Sequence, residues 1–541
     1  MRFLLRSKVF PLRKHSELRN KTLRNGEFSR SRSRCQSTVV VPSFALATPF
    51  FLTSSRSECE YAVPTLSTAG KIGTIDISTL EGGKSLQERM MKAIEALYRK
   101  VIEYLSCTAR ILFCSLVTTP VAVASPIAML IGKEKELWEY LIWCIELLGP
   151  TFIKMAQWAA TRPDLFPPEL TERLVKLQDS TTLHPWSIAE STLIDSFGES
   201  YAKHLDINRK PIGSGCIAQV YKGRHKSEEG KIQDVAIKLI HPHIQNTVKL
   251  DMKILKGFVW FIELIPGLHY MSLSRAVDQF AKSMQDQLDL RREAANMNKF
   301  IDDFKEDKNV EFSKPIEGFI TKNALVETLM VGEPIANFMD SSVDNELKLK
   351  LSKLCCDHLL SMVFIHNFVH GDLHPGNILV RMDKSKKEPV VIYLDCGIVT
   401  TVTEEDHKTF IDICLSLLHF DGYKAGLLML EHKDASSENH TEHSAIEGFC
   451  NGIQDIVEKA KAENCFENIS DYISRICGLS CKYSCPLMPD VINVAMAVKV
   501  CEGIALALNP DLEMAKVAIP TVVKGQAKYL INQAKKKSWF S

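Results

Sequence analysis

Apolar residues fall at Leu86, Met90, Ile94, Leu97 and Val101, with Glu and Lys between them. That spacing predicts one face of an amphipathic helix. The alternation then stops. Ile111 to Gly132 is a run of 22 residues without a charge, bounded by Arg110 and Lys133. At about 1.5 Å per residue, such a helix spans roughly 33 Å, enough for a hydrocarbon core of about 30 Å. Residues 85–132 therefore predict an amphipathic helix followed by a single transmembrane segment, kinked at Pro120 and Pro126. An apolar hairpin, buried or interfacial, is the rival arrangement. Further on, Val235–Ile240, Ile378–Val380 and Val390–Leu394 read as strands. Helical spacing returns between residues 272 and 305 and again from about Glu404, most clearly in Thr409–Leu415 and Val491–Leu508. The mixture is an α+β chain.

The chain has 541 residues, of which 45% are hydrophobic and 24% charged. Those are globular proportions and exclude a mostly disordered protein. At roughly 100–200 residues per domain the length allows several units. A formal net charge of +1 gives no sign of a nucleic-acid binder. The 16 cysteines are scattered through apolar segments and read as buried thiols of a reducing compartment. Cys477, Cys481 and Cys485, four apart, would stack on one helix face, as core thiols or as a metal site. Charge is uneven at the start. Residues 1–38 hold 11 Lys or Arg, eight Ser or Thr and two acids, Glu17 and Glu27. That is the composition of a mitochondrial transit peptide, or more blandly of a basic tail. Residues 39–84 read as a linker, and Lys535–Lys537 as a solvated end.

Four separated segments carry chemistry. Ile212-Gly213-Ser214-Gly215-Cys216-Ile217-Ala218-Gln219-Val220 puts small residues between apolar flanks, a strand–turn–strand whose backbone N–H groups can approach phosphates. Val235-Ala236-Ile237-Lys238 matches the strand that presents a phosphate-holding Lys in kinases. Asp372 and Asn377, in His370-Gly371-Asp372-Leu373-His374-Pro375-Gly376-Asn377, keep the five-residue spacing of a kinase catalytic loop. A carboxylate there orients the phosphoryl acceptor, and an amide oxygen holds Mg²⁺. Asp395-Cys396-Gly397 closes a buried strand at the place of the metal-holding Asp of kinases. Glu293, on the helical stretch, is the candidate partner of Lys238.

With these residues in place the sequence resembles the UbiB/aarF-domain family of atypical kinases over roughly Leu147 to Leu508. The decisive segments are Leu148-Gly149-Pro150-Thr151-Phe152-Ile153-Lys154-Met155-Ala156-Gln157, similar to the family's K-x-G-Q helix, and Thr161–Pro167 after it. The resemblance implies a bilobal protein-kinase-like fold. A helical extension (133–204) precedes an N-lobe (205–335) and a C-lobe (336–541). It implies ATP and Mg²⁺ as cofactors. The ion pair is Lys238 with Glu293, the catalytic-loop Asp is Asp372, and the metal ligands are Asn377 and Asp395. Lys154 and Gln157 belong to the inserted motif, and Gln287 and Asp289 to a second motif that faces it.

The chain departs from the family pattern at Ala156, at Gln287 and at Gly213-Ser214-Gly215. The resemblance further implies a matrix-facing protein of the mitochondrial inner membrane that meets membrane lipid. It would serve ubiquinone biosynthesis or lipid metabolism as an ATP-binding kinase or ATPase. A nucleotide-gated carrier of a lipid or quinone precursor is the alternative, with isoprenoid lipid or biosynthetic proteins as partners. A conventional protein kinase is a third reading.

Overall fold

The computed structural model describes residues 86–160, 173–174, 183–264, 273–340, 342–382, 388–430, 440–462, 469–483, 485, 487–512 and 514–539. The basic segment 1–38, the linker 39–84 (and residue 85) and Thr161–Pro167 lie outside them. Helix α1 (Leu86–Leu130) joins the amphipathic stretch and the uncharged run into one helix of 45 residues, with Pro120 and Pro126 inside it. It is the one helix among the described residues long and apolar enough to cross a membrane, over Met90–Ala128. Helix α2 (Glu134–Leu148) folds back on it, and the buried Cys144 thiol donates to the Val117 carbonyl at 3.5 Å. A second helix thus covers one strip of the uncharged run. Only 6% of the apolar window is buried.

Helix α3 (Pro150–Ala160) follows directly. Its start is fastened by Arg110 of α1, which donates from Nη2 to the Leu148 carbonyl at 2.6 Å. The same guanidinium grips Asp251 of helix α5 (Ile244–Glu263), Nε to Oδ1 at 2.7 Å and Nη2 to Oδ2 at 3.0 Å. Asp251 is fully buried. A buried carboxylate needs such a bidentate partner, because desolvation alone would keep it out of the interior.

The first lobe is a five-stranded antiparallel sheet in the order β1-β2-β3-β6-β5. The strands are β1 (Leu205–Ser214), β2 (Ala218–Lys226), β3 (Ile232–Ile240), β5 (Pro315–Ile320) and β6 (Ala324–Thr328). Strand alternation divides the residues of β3 between two faces. Val235, Ile237 and Leu239 are fully buried with Ala189 and Leu193 of helix α4 (Trp186–Phe197). Ala236 and Lys238 point the other way, toward helix α7 (Leu290–Asp303) and the cleft below it.

The helical stretch read between residues 272 and 305 is two helices, α6 (Leu273–Gln287) and α7. Asp289 breaks it by capping α7, its carboxylate accepting from the Arg291 N–H at 3.1 Å. A cap of this kind stabilises a helix by about 1 kcal/mol.

The second lobe holds the sheet β4-β10-β9-β7: β4 (Val310–Phe312), β7 (Glu333–Pro334), β9 (Ile378–Met382) and β10 (Pro389–Tyr393). The short pair β8 (Val369–His370) and β11 (Val399–Thr400) lies beside it. Helix α8 (Asn345–Leu360) runs into a wider turn, Ser361–His366, ended by Asn367 in the left-handed region at φ 50°. The Asn367 side chain ties the turn to the Val402 carbonyl at 2.7 Å.

Helices α9 (Glu404–Leu418), α10 (Gly422–Met429), α11 (His440–Ala462), α12 (Ile469–Tyr483), α13 (Pro489–Leu508) and α14 (Met514–Trp539) complete the lobe. They enclose a cavity of about 210 Å³ walled by Phe364, Phe410, Ile453, Ile473, Ile492 and similar side chains. The three-cysteine spacing does not make a stack. Cys477 is buried and Cys481 exposed, and Cys485 lies beyond the end of α12. No group of three metal-binding side chains converges among the described residues.

Candidate active site

A cleft of about 360 Å³ opens between the two lobes. One end is polar and gathers Lys154, Lys238, Glu293, Asp372, Asn377 and Asp395. Lys238 is the pivot. Its Nζ donates to Glu293 Oε1 at 2.8 Å and to Asp395 Oδ1 at 3.0 Å. Glu293 can meet it because the Asp289 cap starts α7 four residues earlier and sets Glu293 in the first turn. Asp395 stands at φ 54°, a conformation uncommon outside Gly and Asn, and this aims its carboxylate back at the lysine. A Cβ on Gly397 would lie 3.1 Å from Asp395 Oδ1, which explains the small residue there.

One ammonium thus faces three carboxylates, because Glu327 of β6 also lines the cleft. Burial alone would lower the Lys238 pKa. Asp395 and then Glu293 outweigh it and hold the amine charged well above the ordinary lysine range. Burial pushes Glu293 up to about 8 and Glu327 up to about 7, each against the pull of Lys238. Asp395 goes the other way. Burial opposes its charge, but Lys238 and the nearby Lys154 hold it well below the usual carboxylate range. The Asp395 carboxylate and the Asn377 amide oxygen at this end are donors of the kind a hard divalent cation such as Mg²⁺ takes.

The loop that carries Asp372 and Asn377 is clasped from behind. His370 is fully buried, its Nε2–H donating to the Leu394 carbonyl at 3.0 Å and its Nδ1 accepting from the Asp372 N–H at 3.2 Å. Those two partners require the neutral ring, and burial lowers its pKa accordingly. Asn377 Nδ2 donates to the Asp372 carbonyl at 3.0 Å. Asn296 of α7 donates to the Cys396 carbonyl at 2.9 Å and holds the Asp395 loop. Cys396 itself points inward and is fully buried.

Burial also lowers His241, His366 and His407. A histidine with a depressed folded pKa contributes stability above about 6.5 that is lost as pH falls below it. The histidines therefore act to lower the melting temperature as pH falls from 7 toward 5, against Glu293 and Glu327, whose raised pKa values act in the opposite direction. His370→Asn should flatten that slope.

Gly371 has no room for a side chain, since a Cβ would meet Ile398 Cγ2 at 2.7 Å. Gly371→Ala should cost about 1–3 kcal/mol through overpacking, read as a lower midpoint in urea.

Not every residue of the glycine-rich segment faces the cleft. Ile212, Gly215, Cys216, Ile217, Ala218, Val220 and Ala236 line it. Gly213, Ser214 and Gln219, read from sequence as nucleotide contacts, do not. Strand alternation turns Gln219 to the opposite face. There its amide donates to Tyr221 Oη at 2.6 Å and accepts from the His184 N–H at 3.1 Å. It joins the sheet to the preceding extension instead. Gln287 lines the cleft opposite Lys154, whereas Asp289 is occupied in capping and in an ion pair with Arg291 at 2.7 Å. Gln157 lies on α3, one turn beyond Lys154. Sequence reading missed Glu327, a lone acid in the apolar strand Ala324-Leu325-Val326-Glu327-Thr328.

A two-lobed cleft with a strand lysine paired to a helix glutamate, above a loop bearing Asp372 and Asn377, defines a kinase-like protein. Residues 176–426 match the ABC1 atypical kinase-like domain. A mitochondrial ABC1 family protein of Saccharomyces cerevisiae is 29% identical over 80% of this chain and 77% of its own length. A mitochondrial ABC1 family protein of Schizosaccharomyces pombe is 26% identical over 82% and 74%. UbiB of Cronobacter sakazakii, named as a protein kinase, is 28% identical over 72% and 70%. The chain carries an ABC1 atypical kinase-like domain of the UbiB/ABC1 family. The solved Rv3197–erythromycin complex of Mycobacterium tuberculosis covers 71% of this chain and 93% of its own, at 18% identity. Its TM-score against this chain is 0.42.

Proposed function

We propose that the protein is a Mg-ATP-dependent atypical kinase or ATPase of the mitochondrial inner membrane, facing the matrix. It would support ubiquinone or lipid metabolism. The observation that carries the reading is Lys238 held between Glu293 and Asp395 at the polar end of the cleft. Lys238 would take the phosphates, with Glu293 keeping its amine in place. Asp395 and the Asn377 amide oxygen would hold Mg²⁺, which supplies charge neutralisation on the polyphosphate. Asp372 would orient the acceptor hydroxyl or water. In this reading residues 205–335 and 336–541 are the two lobes, and α3 carries Lys154 across the mouth of the cleft. The mitochondrial names of two relatives and the basic, Ser-rich start support the location. Residues 1–38 would be the transit peptide, and α1 would anchor the chain. The test is phosphate release from ATP by the full chain in liposomes of anionic lipid. Mg²⁺-dependent release above background supports the reading, and its absence from folded protein removes it.

The apolar cavity among α8–α14 favours a second reading, a nucleotide-gated carrier of isoprenoid lipid or quinone precursor. Its lining is almost entirely apolar, so it suits a hydrocarbon chain. Lipid that co-purifies, and whose retention changes with ATP while no ATP is consumed, would select it.

A further inference from the structure

The register between β3 and β6 places one charged group where the proposed polyphosphate chemistry has no use for it. Lys238 lies opposite Leu325, and Ala236 lies opposite Glu327. Directly opposed residues of an antiparallel pair share a face. Glu327 therefore projects on the cleft side, one cross-strand pair along from Lys238. It leads toward the connection Thr328–Met330. That end of the cleft is apolar, walled by Ile212, Val220, Ala236, Leu329, Met330 and Leu394. A flat aromatic base fits such walls, with its phosphates reaching Lys238.

The two oxygens of Glu327 differ. Ser313, itself buried, donates to Oε2 at 3.0 Å and fixes the carboxylate. Oε1 makes no hydrogen bond among the described residues, and the side chain stays partly accessible at the cleft wall. A fixed acceptor at the edge of an apolar base pocket is a reading device, because a ligand that brings no donor leaves it desolvated and unpaired.

We propose that Glu327 selects the purine: its Oε1 accepts from an exocyclic amine at the six-position and repels a carbonyl oxygen there. The cleft then takes adenine nucleotides in preference to 6-oxopurine nucleotides. This rests on the nucleotide-binding reading above and adds the residue that reads the base.

ATP and ITP differ at the six-position, amine against carbonyl, and at the adjacent N1, an acceptor in adenine and an N–H donor in hypoxanthine. The experiment measures displacement of a fluorescent trinitrophenyl nucleotide from the full chain in lipid nanodiscs by each, with Mg²⁺ at pH 8, where the carboxylate is mostly ionised. The wild type should bind ATP about tenfold more tightly than ITP or better, the effect of one hydrogen bond to a charged acceptor. Glu327→Gln can turn its amide N–H toward a carbonyl, and the two affinities should converge to within about threefold. Ser313→Ala, which frees the carboxylate, should narrow the gap partway. Equal affinities in the wild type would overturn the proposal and leave nucleotide binding standing. So would a preference that survives Glu327→Gln in protein that still binds ATP. Failure of both nucleotides to bind would remove the nucleotide-binding reading together with this one.

Discussion

Asp395→Ala should abolish ATP turnover, by on the order of 10³-fold in kcat, while nucleotide still binds. Losing one preorganised charge from a phosphoryl-transfer site has effects of about this size. The same change should strengthen binding of metal-free ATP, which separates lost function from lost fold. Asp395 takes one of the Lys238 hydrogen bonds, at 3.0 Å, and adds a negative charge where phosphates would enter. Removing it leaves Lys238 on Glu293 alone and lowers the repulsion of the polyphosphate. Phosphate release and fluorescent-nucleotide titration, each with and without Mg²⁺, read the two effects. A variant that turns over normally would remove Asp395 from the reaction. One that neither turns over nor binds would mean that Asp395 chiefly holds the fold.

The largest effect on stability should come from Arg110→Met. Asp251 is fully buried, and the fork of Arg110 donates to both its oxygens. Removing one member of a buried pair strands the other, at about 3–5 kcal/mol. The loss extends to the Leu148 carbonyl, which shares Nη2 with Asp251. Combining Arg110→Met with Asp251→Leu should recover much of the loss, because an apolar pair of similar volume is often neutral or better. Chemical unfolding of the four proteins of that cycle gives the coupling directly. Additive losses would mean that the two side chains do not act as a pair.

The contrast between these sites shows what a single sequence discloses. Lys238 sits in a recognisable tetrapeptide, and Asp372 and Asn377 are five residues apart on one loop, so their chemistry is contiguous and readable. Arg110 and Asp251 are 141 residues apart, and neither has a local signature. Glu327 was hidden for a related reason. An acid after Ala-Leu-Val looks like a solvated strand end until the pairing with β3 fixes which way it points. Gln219 was misassigned although the signal was present. Strand alternation through Ala218, Gln219, Val220 and Tyr221 separates the cleft-facing pair from the other two. The break between α6 and α7 was likewise legible in principle, since a capping residue, Asp289, with an acid, Glu293, in the turn that follows has the look of a helix start. The long apolar helix was readable as such. Its coverage by α2 was not, because it depends on Cys144 meeting Val117 across a hairpin.

Cys396 stands between Asp395 and Gly397, where a covalent ligand designer would look first for a handle. Its side chain is fully buried, and burial, reinforced by Glu293, pushes the thiol well above its ordinary range. The thiolate is the reactive form, so electrophiles directed at the cleft should pass this cysteine by. Its alkylation would instead report how often the loop turns outward.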